Sequence, residues 1–159
     1  MNQNARILIA ENDCIIAEDI NLLLKSWGHW VINVTQSIEQ TYRIIDRQRP
    51  DLVILSACMI DSNDGLEEVK RIIQQYGTSI ILITDSLNIK IKQSQKLYGS
   101  FYVILKPFDA DELNLLVEIA LLNCAKSLKK KRFLQSYRSI FQRAPKGNKQ
   151  YLESLHQIS

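Results

Sequence analysis

The feature that most constrains the fold of this chain is the stretch Pro50-Asp51-Leu52-Val53-Ile54-Leu55-Ser56. Four consecutive apolar residues, introduced by Pro-Asp, are typical of a strand that is buried on both faces. Strands of this kind occur in parallel sheets that helices cover on both sides. Ser56 would then stand at the carboxyl end of the strand, where open α/β sheets place their binding and catalytic groups.

Other short apolar segments alternate with stretches of helical periodicity, which predicts five strands and five helices in total. The remaining predicted strands are Arg6–Ala10, Trp30–Val34, Thr78–Thr84 and Phe101–Leu105. Few topologies remain, because crossovers between parallel strands are right-handed. We therefore expect an α/β fold, namely a flavodoxin-like doubly wound five-stranded parallel sheet of order 2-1-3-4-5 with an extended C-terminal helix.

The predicted helices differ in the clarity of their apolar faces. The first follows a cap at Asn12 or Asp13 and ends before Gly28. Its inward residues are predicted to be Ile16, Ile20, Leu23 and Leu24, and its outward residues Glu18, Asp19 and Asn21. The second runs from about Ser37 to Gln48, and the fourth from about Leu87 to Leu97. The fourth is weakly patterned, so we expect it to be the least stable.

The carboxyl ends of strands one, three, four and five should meet at one edge of this sheet. The residues at these ends are Glu11, Asn12, Ser56, Thr84 and Lys106. The first strand is followed by Ala10-Glu11-Asn12-Asp13, which contains no glycine and therefore forms no glycine-rich phosphate loop. This argues against a nucleotide-binding relative.

In the order of its motifs the chain resembles the receiver domain of two-component response regulators. The resemblance covers about residues 5–122. It rests on Glu11-Asn12-Asp13, Pro50-Asp51-Leu52-Val53, Asp64-Gly65, Thr84 and Lys106-Pro107-Phe108, which occur in order and at ordinary spacing. It implies a signalling domain that is not an enzyme and that works through protein partners.

The resemblance also implies roles for the residues at the strand ends. In receivers, two acidic residues and an acceptor aspartate hold Mg²⁺, the aspartate takes a phosphoryl group from a histidine kinase, and a Thr or Ser and a Lys contact the phosphoryl oxygens. Here Glu11 keeps the first acidic position, Asn12 replaces the second, and Ser56 replaces the acceptor. Thr84 and Lys106 are retained. The five residues thus form a degenerate phosphorylation pocket.

Two further positions depart from the receiver pattern. Val103 stands at the switch position, where receivers often carry an aromatic residue that reorients on activation. Asp85 follows Thr84, where a small residue is usual. Asp85 would lie at the mouth of the pocket, where it is either solvated or a source of charge. The departures therefore affect the metal, the acceptor and the switch together.

These residue types argue against phosphoryl chemistry. Mg²⁺ prefers carboxylate oxygens, so Glu11 with neutral Asn12 and Ser56 would bind it weakly at most, and we expect no metal or other cofactor. An aspartyl phosphate cannot form on serine, and a serine hydroxyl is a poor nucleophile without an adjacent base. We expect no catalytic residue. Glu11 and Lys106 could instead pair with each other.

Other uses of the pocket remain open. We interpret Ser56 as a non-acceptor, the alternatives being a kinase target used as a switch, or Asp61 or Asp64 as a substitute acceptor. Thr84 and Lys106 are either structural remnants or working contacts.

Charge divides the chain into two parts. The first 125 residues carry 11 Lys and Arg against 16 Asp and Glu, a net −5, whereas residues 126–159 carry 9 against Glu153 alone, a net +8. We therefore predict a receiver-like domain at 1–125 and a basic helical extension at 126–159. The extension is interpreted as a connector to an output domain, as an arm that packs on the body or on a second subunit, or as a binder of nucleic acid or an acidic partner.

The remaining features indicate a cytoplasmic protein without a membrane segment. No apolar run approaches the roughly 20 residues that a membrane span needs, and the first residues lack a signal peptide. The three cysteines, Cys14, Cys58 and Cys124, lack the close pairing of a disulfide framework or metal site. Having only His29 and His156 argues against a transition-metal site. Trp27, His29 and Trp30 are interpreted as turn and edge packing.

Together these features favour a phosphorylation-independent signalling module that acts through protein–protein contacts. The last predicted helix is apolar almost all round, which suggests a second buried face. We expect the fourth helix, fifth strand and fifth helix to contact another signalling protein or output domain, or to form a homodimer. The alternatives are an atypical phospho-accepting response regulator and a nucleic-acid-binding regulator that uses the basic tail, nucleic acid being the less favoured partner.

Overall fold

A computed structural model describes residues 4–60 and 65–124. Five strands alternate with five α-helices along this part of the chain. The strands are β1 (Arg6–Ala10), β2 (Trp30–Thr35), β3 (Leu52–Ser56), β4 (Ser79–Thr84) and β5 (Phe101–Leu105). The helices are α1 (Cys14–Ser26), α2 (Ile38–Gln48), α3 (Gly65–Tyr76), α4 (Ile89–Leu97) and α5 (Ala110–Cys124).

The strands form one parallel sheet in the order β2-β1-β3-β4-β5, which confirms the predicted flavodoxin-like fold. The register pairs Ala10 with Leu55, Ser56 with Ile83, and Thr84 with Leu105. Glu11 and Lys106 directly follow β1 and β5. The predicted pocket residues are therefore carried by the carboxyl edge of one sheet.

The core lies on both faces of this sheet, as the apolar strands require. Every residue of β3 and β4 is buried. One face packs against α2, α3 and α4 through a cluster that includes Leu8, Val53, Leu55, Leu82, Ile45, Val69 and Ile91. Helix α5 also packs against the sheet, where it contacts β3, β4 and β5. Each fully buried Leu, Ile or Val side chain contributes roughly 1.5–3 kcal/mol of transfer free energy, so these central strands supply much of the stability.

Side-chain caps fix the start of several helices. Asp13 accepts hydrogen bonds from the amides of Ile15 and Ile16 at the start of α1. Ser37 and Asn88 cap α2 and α4 in the same way, so these helices begin at Ile38 and Ile89 rather than at Ser37 and Leu87. Both observed starts lie within one or two residues of the approximate predicted ones, and each helix begins at the residue after its cap.

The prediction that Asn21 lies on the outward side of α1 is wrong. Asn21 is buried, and its amide nitrogen donates a 3.2 Å hydrogen bond to Glu18 Oε2. Glu18 and Asp19 are exposed as predicted. Asn21 follows the buried Ile20 at the edge of the apolar face, where a local side-chain hydrogen bond offsets part of the cost of burying an amide.

The edge strand β2 is irregular. Its register against β1 shifts between Ile7 and Leu8, which leaves an extra residue in β2 as a β-bulge. Beyond the bulge, the Val34 amide donates a 2.8 Å hydrogen bond to the side chain of Asn33. The strand continues to Thr35, one residue further than predicted, and Thr35 pairs its hydroxyl with that of Thr41 on α2 at 2.7 Å.

Helix α5 buries most of its apolar residues, among them Leu113, Leu116, Val117 and Leu121. Its described part ends at Cys124, so the predicted extended helix and the basic extension at 126–159 lie outside the described residues. Asp61 and Asp64 lie outside them too. Among the described residues, no helix is both long and apolar enough to span a bilayer.

Candidate functional site

Glu11 is the buried acid of the carboxyl edge. It directly follows β1, and its side chain is only 1% exposed. One carboxylate oxygen accepts a 2.9 Å hydrogen bond from the Asp13 amide, which turns the chain into α1. The other oxygen has no hydrogen-bond partner in the described part of the chain, and it lies 4.0 Å from Lys106 Nζ. The ammonium is thus the charge that offsets this carboxylate, at the outer limit of ion-pair distance.

Neither Asn12 nor Asp13 places a buried carboxylate in the pocket beside Glu11. Asn12 is exposed, and as an amide it carries no charge. Asp13 is exposed as well, and its carboxylate is engaged in capping α1. The turn after β1 therefore supplies one buried carboxylate to the sheet edge.

Ser56 is fully buried at the carboxyl end of β3. Its hydroxyl lies 3.0 Å from the Cys58 thiol, within hydrogen-bond distance for a sulfur partner. A single 3₁₀ turn, Ala57–Met59, directly follows the strand. Cys58 is its second residue, and the turn brings the thiol back to the Ser56 hydroxyl. The exposed Cys58 is the one site residue that sequence reasoning missed. Only the tight turn after the strand could have indicated it.

Thr84 turns its hydroxyl toward the β4–α4 loop. The hydroxyl donates to the Ser86 carbonyl at 3.1 Å and accepts from the Ser86 amide at 3.4 Å. The Thr84 carbonyl accepts from the Lys106 amide at 2.9 Å, which joins the ends of β4 and β5. Asp85 is exposed beside them. These bonds tie Thr84 to the β4–α4 loop and to the end of β5.

Val103 is buried in the core cluster that faces α2, α3 and α4. The strand carries two aromatic residues: Phe101, which is buried in the same cluster, and Tyr102, which faces the opposite side of the sheet because alternate residues of a strand do so. The Tyr102 hydroxyl donates a 2.9 Å hydrogen bond to the Gly99 carbonyl. Both aromatic side chains of β5 are buried, and the switch position itself holds the aliphatic Val103.

The donor set at this edge is a poor fit to Mg²⁺. The ion prefers oxygen ligands in octahedral geometry, commonly one or two carboxylates with several waters. The buried carboxylate here is that of Glu11, and the nearby charge is the Lys106 ammonium. Ser56 is neutral and engaged with Cys58. Within residues 4–60 and 65–124, no three His, Cys, Asp or Glu side chains come together as a metal cluster.

The histidine of the described region cannot activate Ser56. A serine nucleophile needs a base within hydrogen-bond reach. His29 precedes β2 and so lies at the amino edge of the sheet, opposite the edge that carries Ser56. Its Nε2 atom lies 3.8 Å from Glu118 Oε1 on α5.

Comparisons with known proteins agree with this architecture. The Phyllosphere-induced regulator PhyR of Methylorubrum extorquens is 27% identical over 116 residues, which are 72% of this chain and 43% of that protein. The transcriptional regulatory protein PdtaR of Mycobacterium tuberculosis is 24% identical over 115 residues, 72% of this chain and 56% of that protein. This chain thus spans about half the length of these curated relatives.

Solved structures give the same fold. The signal receiver domain of a modulated diguanylate cyclase from Desulfovibrio desulfuricans G20 has a TM-score of 0.65 at 27% identity, covering 77% of this chain and 97% of that one. A response regulator from Thermotoga maritima has a TM-score of 0.63 at 18% identity, covering 74% and 98%. At that identity the second likeness shows the fold alone.

The family itself is shown by a match that takes in most of the sheet and its helices. Residues 7–118 match the response regulator receiver domain. This range contains Glu11, Ser56, Thr84 and Lys106 together with all five strand ends. The chain therefore belongs to the response regulator receiver domain family.

Proposed function

We propose that this chain is a receiver-family signalling module that acts through protein–protein contacts without being phosphorylated. The observation that carries the proposal is Ser56: the residue at the acceptor position is a buried hydroxyl engaged with the Cys58 thiol. The hydroxyl contacts a thiol rather than a carboxylate or an imidazole, and a serine hydroxyl that no adjacent base activates is a weak nucleophile. Burial also opposes the kinase-target alternative, because a kinase must reach the hydroxyl.

Loss of tight Mg²⁺ binding belongs to the same proposal. In a pocket of clustered carboxylates, like-charge repulsion would favour a bound cation. Here the Lys106 ammonium lies 4.0 Å from Glu11 and offsets its charge. Adding Mg²⁺ would place two more positive charges near this lysine. We infer that the pocket is stable without metal.

The surface that we propose for contacts is the one formed by α4 and β5, continued by α5. Two leucines stand out from it, Leu97 at 73% and Leu105 at 42% exposure, and Leu87 in the loop before α4 is 36% exposed. Large apolar side chains that stay exposed on neighbouring elements mark interaction sites more often than isolated ones do. We infer a protein partner, either another signalling protein or a second copy, rather than nucleic acid, because the first 125 residues carry a net charge of −5.

Incubation with a small-molecule phosphodonor and Mg²⁺, followed by intact mass measurement, tests the loss of phosphorylation. We expect no added phosphoryl group on the wild-type chain. The matched control is the Asn12→Asp/Ser56→Asp variant, which supplies the two missing carboxylates and should gain one group. A phosphoryl adduct on the wild-type chain, at Asp61, Asp64 or elsewhere, would overturn the proposal.

Light scattering after size exclusion tests the proposed surface for self-association. If the wild-type chain is a dimer, Leu97→Gln with Leu105→Gln should shift it to a monomer. Leu22→Gln is the control, because Leu22 is 56% exposed but lies on α1. If the wild type is a monomer, the same variants are compared for loss of a captured protein partner. Dissociation by Leu22→Gln alone would place the interface elsewhere.

A further inference from the structure

Helix α4 presents a positively charged side to solvent. Its nine residues, Ile89–Leu97, include three lysines and no acidic residue. Lys90, Lys92 and Lys96 are exposed, whereas Ile91 is buried against the sheet. This side of the molecule is therefore cationic, although the first 125 residues together carry a net charge of −5. A local field of this sign attracts anionic groups.

The charge of these lysines is not offset within the described part of the chain. None of the three forms an ion pair with a described acidic residue, in contrast to Lys70 and Lys106. Lys90 also stands in the first turn of α4, where the helix dipole disfavours a cation. Natural proteins tolerate such local costs chiefly at functional sites. We therefore looked for a partner that would supply the missing negative charge.

Exposed leucines border the lysines at both ends of α4. Leu97 ends the helix and Leu105 ends β5. Leu105 faces the same side of the sheet as α4, because it alternates with Phe101 and Val103, which lie in the cluster that packs against this helix. Since α4 runs from the end of β4 back to the start of β5, the two leucines lie toward its opposite ends. A helix of nine residues is about 13 Å long, so one short peptide segment can reach both leucines and the lysines between them.

We propose that the α4 face, formed by Lys90, Lys92, Lys96, Leu97 and Leu105, binds an acidic segment of another protein that also carries large apolar side chains. The inference rests on the contact surface put forward above and adds the chemistry of its partner. Carboxylates of the segment pair with the lysines, and its apolar side chains cover the two leucines. Complementary charge of this kind chiefly sets partner choice and the rate of association.

The same face is less suited to a second copy of the chain or to nucleic acid. A two-fold interface brings the same patch of both copies together, so lysines would oppose lysines. Nucleic acid carries a phosphate at every nucleotide, and these phosphates would approach exposed acids at the rim of the face. The acids are Asp85 in the loop before α4, and Asp109 and Asp111 at the start of α5.

Titration of the isotope-labelled full chain with a synthetic peptide, followed by NMR, tests the proposal. The probe is a short peptide of glutamates with leucines at helical spacing. We expect the largest chemical-shift changes at Ile89–Leu97 and Phe101–Leu105. Lys90→Gln with Lys92→Gln and Lys96→Gln should weaken binding about tenfold, roughly the effect of losing three exposed ion pairs. No binding by the wild-type chain, or the largest changes on α1, would overturn the proposal.

The matched control removes three exposed cations from α1 and α2, as Lys25→Gln with Arg43→Gln and Arg47→Gln. It should keep the wild-type affinity to within about twofold at physiological salt, because charges farther apart than about 8 Å are largely screened there. The basic residues of 126–159 are the same in every variant, so they do not contribute to the difference. An equal loss in both triple variants would mean that net charge alone binds the probe, and the proposal would be wrong.

The variant Leu97→Gln with Leu105→Gln separates this proposal from the proposed contact surface. If it weakens binding of the probe and the lysine variant does not, the surface stands and the acidic partner is wrong. If neither variant weakens binding, the contact surface fails as well. A DNA oligonucleotide of the same net charge that binds as tightly as the peptide would assign the face to nucleic acid instead. A wild-type dimer that only the leucine variant dissociates would assign it to a second copy.

Discussion

Gly65 and Ile60 approach so closely that a Cβ atom on Gly65 would lie 2.6 Å from the Ile60 Cβ. The two residues flank positions 61–64, between the β3 edge and α3. Both Cβ atoms would be fixed by the backbone, so no rotamer change could relieve the overlap. Gly65 is buried at the first position of α3, and the absence of a side chain lets the helix begin against Ile60.

Gly65→Ala should lower the free energy of unfolding by about 1–3 kcal/mol, the usual cost of overpacking a tight contact. The overlap outweighs the better helix propensity of alanine, which is worth about 1 kcal/mol at most. Gly99→Ala is the control, because a Cβ there meets no atom within 4 Å. Equal stability of the two variants in denaturant unfolding would refute the close contact.

Ser56→Asp should destabilise the chain at neutral pH by about 1–3 kcal/mol or more, because it buries a second carboxylate beside the end of β1. The free energy should be partly recovered when Mg²⁺ is added to the Asn12→Asp/Ser56→Asp variant, since a ligand that binds the folded state stabilises it. Thermal melting with and without Mg²⁺ measures both effects. If Mg²⁺ stabilises the wild type as much as the double variant, the proposed loss of tight Mg²⁺ binding is wrong.

Tyr42 should make stability depend on pH in alkaline solution. Burial, and after it the Glu68 carboxylate, raise the pKa of Tyr42 from 10.0 to about 12, although Arg71 opposes the shift. The unfolded chain therefore loses the phenolic proton first, and the stability contribution of Tyr42 falls as the pH rises from 10 to about 12. Tyr42→Phe should lose less stability over this range. Parallel profiles for wild type and variant would contradict the assignment.

Asp109 and Glu112 form a reciprocal cap at the start of α5. The Glu112 amide donates to Asp109 Oδ1 at 2.8 Å, and the Asp109 amide donates to Glu112 Oε2 at 3.2 Å. Asp109→Ala should cost about 1 kcal/mol of stability, as expected for a lost N-cap. Asp111→Ala, in the same turn, should cost less than half of that. If Asp111→Ala lost more stability than Asp109→Ala in urea unfolding, the assignment of Asp109 as the cap would be wrong.

The fold could be predicted because its information is local. Strands such as Leu52–Ser56 are continuous apolar runs, and helix starts such as those at Asp13 and Asp109 carry capping residues. The order of the strands then follows from handed crossovers, which need no knowledge of side-chain contacts. Once the strand order was predicted, the residues that follow each strand were known to lie at the carboxyl edge of the sheet.

The contacts that define the site could not be predicted in this way. The Cys58 thiol reaches Ser56 because of a 3₁₀ turn that no periodic pattern encodes. His29 was interpreted as turn packing, and it is indeed buried, but the nearby Glu118 lies on the last helix, and only the tertiary fold brings the two together. Trp30 was also expected to pack, yet it is largely exposed, since it begins an edge strand.

The bulge in β2 has a consequence for how this domain behaves at high concentration. An edge strand with regular, unpaired amides is a template on which another chain can add a strand. Here the bulge interrupts the regular row, and Asn33 occupies the amide of Val34 with its own side chain. A strand added to this edge would meet an irregular hydrogen-bonding register, and the Val34 amide of β2 already donates to the Asn33 side chain. These two features make β2 a poor template for the addition of another strand.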